Sequence, residues 1–210
     1  MMKVILTYII AITLILVGLA TTGELRYFPI DKTGVKGISE FEHEWYSKAL
    51  KRMDEPSFLI TKATPSQLFR FTLLPTWGNP ISVRLSIKDG VGVVEGKRLD
   101  GQGGYDPGKL VEKTSVILKK TEMDQFLSLY AKMKFFGLNT ADDVRGLDGS
   151  QWIFEATNNG TYHVVVRWTP TEYDPEKRQT VSFVNVCNWL YRKAGFKNSA
   201  TNKGHTLIRK

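Results

Sequence analysis

The chain has 210 residues, of which 42% are hydrophobic, and this composition suits one globular domain with a short appendage. Its formal net charge is +8, but the basic residues are scattered rather than gathered on one stripe, which argues against a nucleic-acid-binding protein. A single cysteine, Cys187, excludes an internal disulfide, so the fold must depend on its hydrophobic core.

The N-terminal stretch is the strongest signal in the sequence. Residues 4–23, VILTYIIAITLILVGLATTG, carry no charge, and about 20 such residues can span a bilayer as a helix. Lys3 precedes them, which predicts a cytoplasmic N-terminus. Gly18 and Ala20 also fit a cleavage site, so the segment is either a cleaved signal peptide or a retained anchor in the cytoplasmic membrane.

Three regions follow from this interpretation. We expect residues 1–23 to direct export, residues 24–198 to form a single α+β envelope domain, and residues 199–210 to be a basic, flexible tail. The expected location is the bacterial cell envelope. The domain would face the periplasm from the inner membrane, or be periplasmic after cleavage.

About three amphipathic helices are predicted after the N-terminal apolar helix. SEFEHEWYSKALKRMDEP has Ser39 as its N-cap. Its expected apolar face consists of Phe41, Trp45, Ala49 and Met53. TEMDQFLSLYAKMKFFG is expected to be capped by Thr121 and to end at Gly137, and VSFVNVCNWLYRKAGF closes the domain. Cys187 falls on the apolar side of this last helix, which is typical of a small buried hydrophobic residue.

Strand patterns occupy most of the remaining sequence. QLFRFTLLPT and VEKTSVILKK read as single strands, and ISVRLSIKDGVGVVEGKRL reads as a hairpin that turns at Asp89-Gly90. Strands joined by tight turns pair antiparallel. The sequence therefore predicts an α+β fold with an antiparallel sheet built of hairpins and helices covering one face.

Residues 148–168, DGSQWIFEATNNGTYHVVVRW, predict a second hairpin. A three-residue loop at Asn158-Asn159-Gly160 would pair Glu155 with His163. This register places on one core face Trp152, Phe154, Ala156, Tyr162, Val164, Val166 and Trp168. It places Glu155, His163 and Arg167 together on the other face.

The Glu155–His163–Arg167 group has three open interpretations: a solvated cross-strand charge group, a ligand-binding cluster, or a general acid–base pair of His163 and Glu155. A hydrolase triad of Asp148, Ser150 and His163 is excluded. Along this hairpin Ser150 and His163 lie roughly 16 Å apart, at about 3.3 Å per residue.

The segment GQGGYDPG, residues 101–108, is a glycine-rich loop. Its backbone amides could cradle an anion, or the glycines could serve only to turn the chain. With three histidines and one cysteine, the sequence predicts no metal site, and no cofactor motif is present.

Three motifs carry a resemblance. LDGQGGYDPGKL (residues 99–110), GLDGSQWIFE (146–155) and GTYHVVVRWTP (160–170) resemble a group of uncharacterised exported bacterial proteins. The likeness extends from roughly residue 40 to residue 196. It implies an envelope location but no activity. We expect the motif residues to be binding candidates alongside Glu155, His163 and Arg167: Asp148, Ser150, Gly103, Gly104 and Tyr105.

Two function classes remain at this point. The first is a non-catalytic binding or interaction module whose partner is an unknown protein or envelope ligand; protection against an envelope toxin fits this class. The alternative is a small envelope enzyme that uses His163 and Glu155 as an acid–base pair.

Overall fold

The structure is a computed structural model that describes residues 25–31, 33, 35–61, 67–197, 201–202 and 205–206. The apolar helix expected at residues 4–23 lies outside the described residues. Within the described ranges, no helix is both long enough and apolar enough to cross a membrane.

The described chain is an α+β fold, as the sequence predicts. Its helices are α1 (Glu40–Arg52), α2 (Phe58–Thr61), α3 (Lys120–Met133), the short 3₁₀ helix Phe135–Gly137, and α4 (Val181–Ala194). Its strands are β1 (Gln67–Pro75), β2 (Ile81–Lys88), β3 (Val91–Leu99), β4 (Leu110–Ile117), β5 (Ser150–Asn158), β6 (Thr161–Trp168), β7 (Thr201–Asn202) and β8 (His205–Thr206).

Six strands form one antiparallel sheet in the order β4-β3-β2-β1-β5-β6. The hairpin predicted at Asp89-Gly90 is confirmed, since both residues have the positive φ angles, 51° and 78°, that a tight primed turn requires. Strands β7 and β8 pair with each other in the C-terminal segment.

The start of α1 is confirmed and its buried face is corrected. The Ser39 hydroxyl accepts the Glu42 N–H at 3.2 Å, and the Glu42 carboxylate accepts the Ser39 N–H at 3.0 Å, which is a reciprocal capping box. Phe41 is 71% exposed, whereas Tyr46 and Leu50 are fully buried. Of the expected apolar face, Ala49 and Met53 are buried in the core and Trp45 packs against it, so Phe41 alone was assigned wrongly.

Both ends of α3 differ from the prediction. The helix begins after Lys119, whose N–H donates to the Glu122 carboxylate at 2.9 Å, rather than at Thr121. It ends at Met133, before the predicted stop at Gly137, and the next residue, Lys134, takes the left-handed conformation. The closing helix α4 is confirmed, and Cys187 is fully buried in it.

Helices cover both faces of the sheet, so the expectation of one covered face is wrong. Between the sheet and α3 and α4 lies a core that includes Phe69, Phe71, Val83, Val94, Phe126, Trp152, Phe154, Val165, Phe183 and Leu190. Between the other face and α1 lies a second core that includes Tyr27, Phe28, Tyr46, Leu50, Met53, Leu74, Leu99, Ile153, Val164 and Val166. The central strands β1 and β5 are consequently buried along almost their whole length.

The register predicted for the β5–β6 hairpin is wrong by one residue. The loop is the two-residue turn Asn159-Gly160, with φ angles of 48° and 78°, and it places Ala156 opposite His163 and Glu155 opposite Val164. Residues opposite each other share a face, so Glu155 and His163 lie on opposite faces of the sheet. Likewise Val164 and Val166 lie in the second core, not in the core of Trp152 and Phe154. The prediction failed because an alternating pattern cannot distinguish two registers when both faces of the sheet are apolar.

Candidate functional site

The predicted polar group of Glu155, His163 and Arg167 does not form. His163 and Arg167 face the α3–α4 side of the sheet, opposite Ala156 and Trp152, whereas Glu155 faces α1. The pairing of Glu155 with His163 that the enzymatic interpretation requires is therefore wrong.

Glu155 belongs instead to a buried ion network. Both of its carboxylate oxygens accept N–H bonds from the Arg70 guanidinium, at 2.7 and 2.8 Å, and one also accepts the Tyr162 hydroxyl at 3.0 Å. The remaining Arg70 nitrogen donates to the Pro56 carbonyl at 2.7 Å, and the guanidinium lies over the Phe58 ring at 4.4 Å.

A second carboxylate extends this network. Glu55 contacts Lys97 at 2.9 Å, Arg84 at 3.1 Å and Arg70 at 3.6 Å, and it is 4% exposed.

Cross-strand neighbours form a row of four charges over β5, β1, β2 and β3: Glu155, Arg70, Arg84 and Glu95. Burial raises the pKa of Glu155, and the Arg70 charge opposes that rise. The network contacts neighbouring elements on every side, which is the environment of a structural cluster rather than of a site open to a ligand.

His163 is packed against aromatic rings. Its ring centroid lies 4.9 Å from that of Phe135 and 6.1 Å from that of Phe136, and its Nε2 lies 2.8 Å from the Leu138 carbonyl oxygen. Burial lowers the pKa of His163; the hydrogen bond to Leu138 opposes this and the nearby Arg167 charge adds to it. A neutral imidazole whose Nε2–H donates to the carbonyl fits these contacts.

Arg167 holds the chain that follows the 3₁₀ helix against the sheet. Its guanidinium donates to the carbonyls of Thr140 at 3.1 Å and Asn139 at 3.2 Å. Arg178 completes this attachment with two bonds to the Asp142 carboxylate, at 2.9 and 3.0 Å. Both arginines therefore position residues 139–142, one wall of the cleft described below.

The other predicted site residues do come together at one end of the sheet, around Thr76. The Thr76 carbonyl accepts the Gly104 N–H at 3.3 Å, its N–H donates to the Gly149 carbonyl at 2.9 Å, and its hydroxyl accepts the Gly149 N–H at 3.2 Å. The glycine-rich loop and the segment GLDGS, which are about 45 positions apart, are thus joined through one threonine.

Two aromatic residues extend this junction outward. The Trp77 indole N–H donates to the Asp148 carboxylate at 2.6 Å, and the Trp77 ring packs on Tyr105 with centroids 4.8 Å apart. Ser150 is buried beneath them and accepts the Trp152 indole N–H at 2.9 Å. Asp148 and Tyr105 are exposed, whereas Ser150 has a structural role.

The glycine-rich loop turns the chain and packs closely. Its amides donate to backbone carbonyls: Gly101 to Pro107, Gln102 to Asp106, Gly103 to Gly78, Gly104 to Thr76 and Tyr105 to Gln102. A methyl group on Gly103 would come within 2.6 Å of the Pro75 carbonyl oxygen. An anion cradle needs amides that point at a ligand, so these contacts support the turning role.

A cleft of about 1090 Å³ opens beside this junction, between α1, the glycine-rich loop and residues 139–147. Its rim includes large apolar side chains that are well exposed, among them Phe41 at 71%, Leu147 at 94% and Tyr105 at 54%. Of the predicted site residues, Gly104 and Tyr105 line it. The sequence interpretation missed Phe41, because its helical spacing suggested core, and Leu147, because a single leucine in a loop carries no pattern.

The floor of the cleft contains two buried polar residues, Gln151 and Trp168, which are neighbours across β5 and β6. They are 5% and 4% exposed. Neither the Gln151 Oε1 nor the Trp168 Nε1 has a hydrogen-bond partner within the described part of the chain. Both atoms have almost no accessible surface, and a methyl group on Gly146 would collide with the Trp168 Nε1. They are therefore unsatisfied groups beneath the cleft rather than contact points for a ligand.

No family model matches this chain, and none of the curated proteins is significantly similar to it. The candidate site is therefore inferred from its geometry alone.

Proposed function

We propose that this chain is an exported binding protein of the bacterial envelope, whose cleft beside α1 recognises a partner without transforming it. The observation that carries this is the cleft itself. It places the exposed side chains of Phe41, Leu147 and Tyr105 around a concave space of about 1090 Å³. Concave sites with apolar walls and a few convergent polar groups are the usual form of binding sites.

The enzymatic alternative has lost its geometric support. It needs His163 beside Glu155, but these residues lie on opposite faces of the sheet. Glu155 is fully buried and held by Arg70, and the His163 Nε2 is held at the Leu138 carbonyl. Neither group is available to a substrate in the cleft. A binding module fits the arrangement better. A protein that neutralises an envelope toxin is one example of this class.

The export part of the proposal depends on residues 4–23, an uncharged apolar segment preceded by Lys3. Two reporters fused separately after Lys210 test it. A phosphatase that folds only outside the cytoplasm should be active, and a fluorescent protein that folds only in the cytoplasm should be dark. The reverse pattern would contradict export.

The binding part can be tested by photocrosslinking in cells. A photoreactive amino acid is placed at Phe41 or at Leu147, with Ile117 as the matched control, because Ile117 is apolar and 72% exposed at the opposite end of the sheet. We expect discrete adducts from the two cleft positions and none from the control. Equal yields at all three positions, or no adduct at any, would contradict a binding cleft.

A further inference from the structure

We propose that the ligand of this cleft is a positively charged polypeptide segment, in which lysine or arginine side chains alternate with apolar ones. This inference rests on the binding function proposed above and specifies its ligand. It follows from the charge of the cleft and from its aromatic rim.

The cleft has the opposite charge to the rest of the chain. Five carboxylates line it, although the whole protein carries a formal net charge of +8: Asp31, Glu42, Glu44, Asp142 and Asp143. Only two cationic side chains share the described lining, Lys48 and Arg145. A concave surface concentrates the field of its charges, so this cleft attracts cations within a protein that otherwise repels them.

Two of these carboxylates, Glu44 and Asp143, are exposed and make no ion pair with any residue in the described ranges. Asp142, by contrast, is held by Arg178 at 2.9 Å. Lys48 and Arg145 donate to the backbone carbonyls of Tyr105 and Val144. A bond to a carbonyl leaves the charge of a lysine or arginine in place, so the described lining, with five carboxylates and two cations, has a formal charge of −3.

The rim suits long cationic side chains. Phe41 and Trp45 lie with ring centroids 6.0 Å apart on the exposed side of α1, at the cleft wall. The methylene stem of lysine or arginine packs on such rings while its charged end reaches a carboxylate, and cations are attracted to aromatic faces. Leu147, 94% exposed across the cleft, offers contact to an apolar side chain.

The cleft has room for several residues of an extended peptide, since its volume is about 1090 Å³. A neutral glycan would match the aromatic rings but would leave the carboxylates without counterions.

The test measures binding of fluorescent octapeptides to the full-length protein in detergent. The probes are KGLKGYKG, its acidic counterpart EGLEGYEG and its neutral counterpart QGLQGYQG, and unlabelled chitotetraose serves as a competitor. We expect KGLKGYKG to bind at least tenfold more tightly than the other two peptides. We also expect its affinity to fall when the salt concentration rises from 50 to 300 mM.

Matched double variants locate the interaction. Glu44→Gln with Asp143→Asn should weaken KGLKGYKG binding about tenfold, because two ion pairs are lost, each worth up to about threefold to fivefold when exposed. Glu172→Gln with Glu176→Gln removes the same charge from exposed positions outside the cleft lining and should change affinity less than twofold.

Four results would overturn the inference: no binding of KGLKGYKG at 1 mM, equal binding of the neutral peptide, equal weakening by both double variants, or displacement of the peptide by chitotetraose. Any of these, together with specific crosslinks from Phe41 and Leu147, would leave the cleft as a binding site for another ligand. Loss of those crosslinks would instead refute the proposed function.

Discussion

Arg70 and Glu155 form a two-pronged ion pair between β1 and β5, with donor–acceptor distances of 2.7 and 2.8 Å and no solvent exposure of either residue. The geometry is the fork-to-fork arrangement that gives arginine its strongest bonds to carboxylates. Both charges have been removed from water, so each depends on the other for compensation.

Removing one partner of this pair should destabilise the protein strongly. We expect Glu155→Gln to lower the free energy of unfolding by about 3–5 kcal/mol, because it leaves the buried Arg70 charge without its main counterion. Urea denaturation followed by tryptophan fluorescence measures this. Glu95→Gln is the control, since Glu95 ends the same row of charges with its side chain 26% exposed, and it should cost less than about 1 kcal/mol. An equal loss of unfolding free energy in both variants would contradict the claim that the buried Arg70–Glu155 pair is the more important one for stability.

The β5–β6 turn gives a second prediction. Gly160 has a φ of 78°, so Gly160→Ala should destabilise the protein by about 1–2 kcal/mol through left-handed backbone strain. Gly137 is the control: its φ is ordinary, and a methyl group there would meet no atom within 4 Å. Gly137→Ala should therefore change stability by less than about 0.5 kcal/mol. A neutral Gly160→Ala would contradict the left-handed conformation of this residue.

The α3–α4 core gives a third prediction. Phe154 is fully buried, with ring centroids 5.2 Å from Phe135 and 6.2 Å from Tyr130. Phe154→Ala should cost about 3–5 kcal/mol in denaturant melts. Phe41→Ala removes the same ring from an exposed position and should cost less than about 0.5 kcal/mol. A loss below 1 kcal/mol for Phe154→Ala would show that this position is not in the core.

His163 should make stability depend on pH. Burial lowers its pKa below the ordinary value of about 6.5, so below that pH the unfolded chain binds a proton that the folded protein excludes. The contribution of neutral His163 to the free energy of unfolding is complete above about pH 6.5 and is lost as the pH falls. His163→Gln should therefore be less stable than the wild type at pH 7.5, by about 1 kcal/mol, and this gap should narrow at pH 5.5. Urea melts at both pH values measure the gap, and a gap that widens at pH 5.5 would contradict a lowered pKa.

The strands and helices were largely predictable because each has a local signature. The Asp89-Gly90 turn, the Ser39 capping box and the apolar stripe around Cys187 each depend on residues within one element, and all three are confirmed. Local propensities and turn chemistry fix such features without knowledge of the rest of the chain.

The site was less predictable because it depends on contacts between distant elements. The alternation in β5 and β6 favoured a polar face that does not exist, since α1 and the N-terminal residues cover that side. Phe41 looked like a core residue by its spacing, and only the packing of Tyr46 and Leu50 against the sheet reveals that it faces the cleft. The motifs GQGGYDPG and GLDGS were noticed, but nothing local showed that Thr76 joins them.

The row of charges from Glu155 through Arg70 and Arg84 to Glu95 distinguishes the correct strand alignment from its nearest competitors. A sheet that is apolar on both faces tolerates a shift of one residue between neighbouring strands, since one set of apolar side chains replaces another. Such a shift of β5 past β1 would place Glu155 opposite Phe71 or Phe69, on the face that packs against α3 and α4, far from any counterion. A misaligned sheet would therefore bear the cost of a lone buried carboxylate, so the charged row favours the native alignment over its neighbours.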